Sequence, residues 1–282
     1  MQPGSRSRSG GVPPLRDRLG RLLGSEPNEA QFGMVLSFIA GAINAGGFMM
    51  VGQYTSHMSG IVSAMADGFA VGAWALVLAC LAALLSFLAG AACSAMMINW
   101  CRRHRARSQY AHPLLLEALL IACFGLFGNR LPPGASVAVT VPLLCFLMGL
   151  QNATITKISG ARIRTTHVTG IVTDIGIELG KLFYWNIRVS EPDGPQVRAD
   201  RAKLCLLSSF LGCFLIGGVM GALGFKHLGL AVFLPLALLL LLLATAIVRP
   251  EQRVSSAPVA AAPPSRSSPQ GEAEPGREYN PR

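Results

Sequence analysis

Two histidines carry the most suggestive chemistry in this chain. His57 lies in YTSHMSGIVS (Tyr54–Ser63), and His167 lies in a close echo, RTTHVTGIVT (Arg164–Thr173). An imidazole among hydroxyls can relay a proton, recognise an anion or ligate a metal. It can also serve as a neutral partner for backbone groups. Neither histidine has a carboxylate or cysteine close by in its motif, so no metal is expected. The flanking hydroxyls of Ser56, Ser59, Thr166 and Thr169, with Thr55 and Thr165, have a physical task of their own. A helix that starts where there is no water leaves its first N–H groups without partners, and Ser and Thr supply oxygens for them.

Other polar residues accompany the motifs. Asn44 and Asn152 end the apolar stretches that precede them, where they either hydrogen-bond broken backbone or line a site. Asp174, Glu178 and Lys181 follow the second motif at helical spacing and share one face. That face belongs against protein, a cavity or the cytoplasmic surface, because an ionised group at mid-bilayer costs about 2.5–3.5 kcal/mol. Together His57, His167, Ser56, Ser59, Thr166, Thr169, Asn44, Asn152 and Asp174 form the expected solute-binding set. Glu117 is a lone carboxylate in the third span, which an interfacial position explains as well as any function does. No GxSxG, Walker, HExxH or CxxC motif is present, so neither an enzyme nor a cofactor is expected.

The elements that must position these residues are membrane helices. The chain of 282 residues is 51% hydrophobic and only 13% charged, against about 25% charged in a soluble domain. Six stretches read as spans: Phe32–Val51, Trp74–Ile98, Leu114–Gly128, Ser136–Thr156, Leu204–Leu223 and Leu228–Val248. The third is short and draws on Tyr110–Pro113. His57–Val71 and His167–Trp185 are helical in period but too polar or too short to cross comfortably. The seven cysteines are scattered and suggest no disulfide framework.

The net charge of +10 sits mostly in tails and loops beside apolar spans. It reads as cytoplasmic anchoring, with the lipid bilayer as partner and no nucleic acid. The arginines of CRRHRARS (Cys101–Ser108) and the basic N-terminal tail then share the cytoplasmic side. An even number of crossings must separate them. The expected fold is all-α, a polytopic membrane bundle of six spans plus two short broken or re-entrant helices, with both termini cytoplasmic. Eight full spans is the alternative. Residues 1–30 and 251–282 read as tails, the latter rich in Pro, Ser and Ala. A homo-oligomer is compatible with all of this.

The echo extends beyond the histidines. Gly41, Asn44 and Ala45 match Gly149, Asn152 and Ala153, and FLAGAACSA (Phe87–Ala95) matches FLIGGVMGA (Phe214–Ala222). Matches in the same order predict two repeats, 31–130 and 135–250. Three spans per half is odd, so the halves would be inverted, an arrangement recurrent in transporters. Gly90 and Ser94, like Gly217 and Gly221, are small residues one turn apart, suited to close helix approach in lipid.

NAGGFMMVGQYTSHMSGIV (Asn44–Val62) resembles the signature of the YoaK-like bacterial membrane proteins, which reads like DAxxFxxxGxFxSxMTGN. Asn44 stands where an acidic residue is common, and Ile61 where Asn is common. The resemblance covers roughly Gln31–Val248. It implies a bacterial inner-membrane protein and supplies no activity. The expected function is a secondary transporter or channel for a small polar or anionic solute, its pathway between the repeats. A membrane scaffold or stress-response protein with purely structural motifs is the rival.

Overall fold

A computed structural model of the chain describes residues 29–104, 108–130, 132–158, 166–184 and 198–248. The two tails, the arginine-rich loop at 105–107 and the 159–165 approach to the second motif, including Thr165, lie outside the described residues. Every element within them is helical: α1 (Glu29–Val51), α2 (Met58–Ala70), α3 (Trp74–Arg103), α4 (Ala111–Phe127), α5 (Pro133–Ile158), α6 (Val168–Phe183), α7 (Arg201–Leu228) and α8 (Phe233–Val248).

The long helices follow from runs of Leu, Ala, Ile and Met, which lose little side-chain freedom on coiling. Their ends follow from local chemistry. Pro133 opens α5, where its missing N–H costs nothing. Gly52 (φ +69°) ends α1, and Gly72 (φ +70°) makes the tight turn from α2 into α3. Pro142 lies inside α5, a position tolerated in membrane helices because neighbours satisfy the freed carbonyl.

Five stretches are long and apolar enough to cross a membrane, and the last runs 47 residues from Arg201 to Ile247. As one helix it would reach about 70 Å, more than twice a bilayer core. A 3-10 turn at Gly229–Val232 divides it into α7 and α8, the fifth and sixth expected spans. α2 and α6 have 13 and 16 residues, about 20 and 24 Å. Both fall short of the roughly 30 Å core, whereas α8, also of 16 residues, is extended by the turn at Gly229–Val232 that precedes it.

The packing is interleaved along the sequence. α1 lies against α7, α3 against α5, and α4 against α8, while α1 also meets α5. The short helices sit outside this arrangement, α2 on α3 and α6 on α7. One apolar core joins α1, α4, α5 and α8 through Leu36, Ile43, Leu114, Ile121, Leu144, Met148, Phe233 and Leu240.

Glycines set how closely these pairs approach. A Cβ on Gly41 would overlap the Phe214 carbonyl, and one on Gly217 the Phe38 carbonyl. On the other crossing, a Cβ on Gly149 would overlap the Phe87 carbonyl, and one on Gly90 the Phe146 carbonyl. The four clashes are two copies of the same pair. Gly41 corresponds to Gly149 and Gly217 to Gly90 in the matched segments. The polar contact one turn along differs, with Ser94 bonded to Thr154 at 2.9 Å on one crossing and Gly46 against Gly221 on the other.

Candidate functional site

The first motif is built around a chain reversal. After Gly52 the backbone turns back along α1, and Tyr54 stacks on Phe48 with ring centroids 4.4 Å apart. Asn44 then fixes the unwound segment. Its Oδ1 accepts from the Ser56 hydroxyl (3.0 Å) and the Ser56 backbone N–H (3.2 Å). The second motif repeats the device. Asn152 Oδ1 accepts from the Thr166 hydroxyl (2.7 Å), and its amide donates to the Met148 carbonyl (2.8 Å). Each asparagine ties the approach of a short helix to the long helix before it.

The helix starts differ from the sequence expectation. The N-cap residues are His57 and His167, and neither caps its first turn with its own side chain. The Ser56 and Thr166 hydroxyls turn to the asparagines instead. Each histidine ring folds over its own first turn, so that a Cβ on Gly60 would overlap the His57 ring and one on Gly170 the His167 ring. The H-x-x-G spacing common to both motifs therefore has a steric cause. Both imidazoles remain exposed, as do Ser59 and Thr169.

The start of α2 lies well along α3. α2 packs back along α3 from the Gly72 turn, so its first residue, Met58, reaches the level of Phe87 and joins the cluster of Ile61, Cys80, Ala83, Val141 and Cys145. That is about 20 Å from the turn. α2 and α6 pack on α3 and α7 rather than on each other, so the packing does not bring His57 and His167 face to face.

The charged face of α6 anchors its other end. Glu178, enclosed to 2% exposure, accepts from Lys181 Nζ (2.9 Å) and from the Asp200 backbone N–H (2.9 Å). Lys203 lies 3.7 Å from Asp174 and 3.8 Å from Glu178. Asp174 is thus engaged with the start of α7, two turns from His167. The Asp200 N–H and then Lys181 hold the Glu178 carboxyl below the ordinary glutamate range. A lowered folded value stabilises above the unfolded pKa and is lost as pH falls through the folded one. Protection of the α6 amides should therefore be high at neutral pH and be lost as the pH falls below the ordinary glutamate range. Glu178→Gln should exchange fast at both. Equal protection of variant and wild type at neutral pH would refute this anchor.

A family model described as "Protein of unknown function (DUF1275)" matches residues 32–246. The chain belongs to this family. The match agrees with the YoaK-like signature and with its extent. No curated protein and no solved structure matched the chain.

Two polar residues of this DUF1275 chain escape a motif-centred reading. Glu117 has no exposed surface, and neither carboxylate oxygen has a hydrogen-bond partner among the described residues. Gln151 is equally enclosed and equally unpartnered at both ends of its amide. The available signal was a single charge inside Leu114–Gly128 and a glutamine beside Asn152. Among the described residues, no group of three His, Cys, Asp or Glu side chains could hold a metal.

Proposed function

We propose that this helical membrane protein is a secondary transporter or channel for a small polar or anionic solute, built from two inverted, duplicated repeats. It resides in a bacterial inner membrane with both termini cytoplasmic. The observation that supports this reading is the pair of short helices whose first turns are not capped by their N-cap histidines and begin beside those exposed imidazoles, the first of them well along α3. Uncapped N–H groups and the positive end of the helix dipole favour an anion. Exposed His57, Ser59, His167 and Thr169 at that level are costly against lipid and suit a water-filled path. The matched glycine crossings and matched asparagine ties support duplication. The helix pairs α1–α7 and α3–α5 each take one helix from each repeat, and they are the natural units to rock past one another at the α1–α5 contact.

Purified protein in liposomes should pass small anions from a mixed solute panel, and His57→Ala with His167→Ala should reduce flux about tenfold or more. Absence of flux and of ligand-induced thermal shifts across the panel would refute transport. A second reading, a non-transporting membrane scaffold, is favoured by the seating of each histidine ring on its glycine, which gives both motifs a structural purpose.

A further inference from the structure

Glu117 and Gln151 stand level with each other. The Tyr110 hydroxyl at the start of α4 donates to the Lys157 carbonyl near the end of α5 (3.3 Å), which aligns these antiparallel neighbours. From that link Glu117 lies about 10 Å along α4 and Gln151 about 9 Å back along α5. Both are fully enclosed in the bundle, and all four of their polar side-chain atoms lack partners among the described residues. A buried polar atom without a partner is destabilising, and more so when it is charged.

Packing does not require polar residues here. Pro113 and Pro235 are each the third residue of their helices, α4 and α8. On that register Glu117 corresponds to Leu239. On the register of Gly41 with Gly149, Gln151 corresponds to Ile43. The second copy of each position is filled by an aliphatic side chain that packs in or against the same core. The polar pair is thus a one-sided departure from an otherwise matched arrangement, and its cost calls for a ligand.

We infer that Glu117 and Gln151 form a site for one monovalent cation, a proton or sodium. One carboxylate balances one positive charge, and the Gln151 amide oxygen supplies a further hard donor. The inference deepens the transport reading by supplying its coupling ion, yet it concerns binding and is measured without flux.

The test uses the full chain in detergent or nanodiscs, with sodium chloride exchanged for choline chloride at constant ionic strength. One expected result is a sodium-dependent rise in melting temperature of about 5 °C, absent from Glu117→Gln and Gln151→Ile, which assigns sodium. The other is a sodium-insensitive melt with an infrared band of a protonated carboxyl that disappears in Glu117→Gln, which assigns the proton. A wild-type protein with neither sodium response nor protonated band overturns the inference. So does either signal persisting in Glu117→Gln. Glu117→Leu, which copies Leu239, provides a second variant should Glu117→Gln not fold. Binding without flux would refute transport alone, and flux without binding would refute this site alone.

Discussion

Gly217→Ala and Gly90→Ala should each lower stability by roughly 1–3 kcal/mol, and the double variant should fail to yield folded protein in mild detergent. The obstacle to the new methyl group is a backbone carbonyl, of Phe38 in one case and Phe146 in the other. A side chain can change rotamer, whereas a carbonyl moves only if the facing helix moves. The α1–α7 or α3–α5 pair would have to separate along its length, and dispersion contacts between helices in lipid would be lost with it. Gly212 provides the control, because a Cβ there meets nothing within 4 Å. Gly212→Ala should be neutral or slightly stabilising, since alanine is the better helix former by up to about 1 kcal/mol. Thermal unfolding followed by circular dichroism checks all of these. If Gly217→Ala and Gly212→Ala melt together, the close crossing is refuted.

The second large effect is expected at the asparagine ties. Asn44→Ala removes the acceptor for two donors, the Ser56 hydroxyl and its backbone N–H. The backbone donor then stays part-buried without a partner, at about 1–3 kcal/mol. Amide exchange should speed up across residues 51–60 while α3 and α5 keep their protection. Asn152→Ala should do the same for the start of α6, less strongly, since only the Thr166 hydroxyl is released there. Asn44→Asp keeps an acceptor oxygen at Oδ1 and should retain most of the protection. Unchanged exchange at residues 51–60 in Asn44→Ala would show that the turn is held by the Phe48–Tyr54 stack and Gly52 instead.

Much of the fold was legible because it is dictated by lipid. Apolar runs the length of a bilayer announce their helices, and α4 does begin at Ala111, within the Tyr110–Pro113 stretch that the short third span was expected to borrow. The small residues Gly90 and Gly217 announced close packing, but not which helix they meet. That depends on contacts between residues more than 50 positions apart, for which a single sequence carries no periodic signal. The motifs were legible in composition and less so in geometry. Hydroxyls beside a helix start suggest caps, yet Ser56 and Thr166 found a better acceptor in asparagines a dozen residues upstream. The histidines' relation to Gly60 and Gly170 was present as a spacing, but its meaning depended on which way each ring turned. Glu117 could not be placed from sequence, because whether it meets solvent or core depends on how α4 is rotated against α8.

The interleaved pairing of helices bears on how the protein is made. α1 emerges from the ribosome well before its main partner α7, which is completed only after Leu228 has been synthesised. Until then the face of α1 that carries Gly41 stays unmatched, even once α5 is available to it. Insertion and assembly are therefore separate stages, and assembly waits for nearly the whole chain. A nascent chain stopped after α4 would hold α1, α3 and α4 without α7, α5 and α8, the helices they mainly pack against. Such a chain would leave uncovered the helix faces that the finished protein buries.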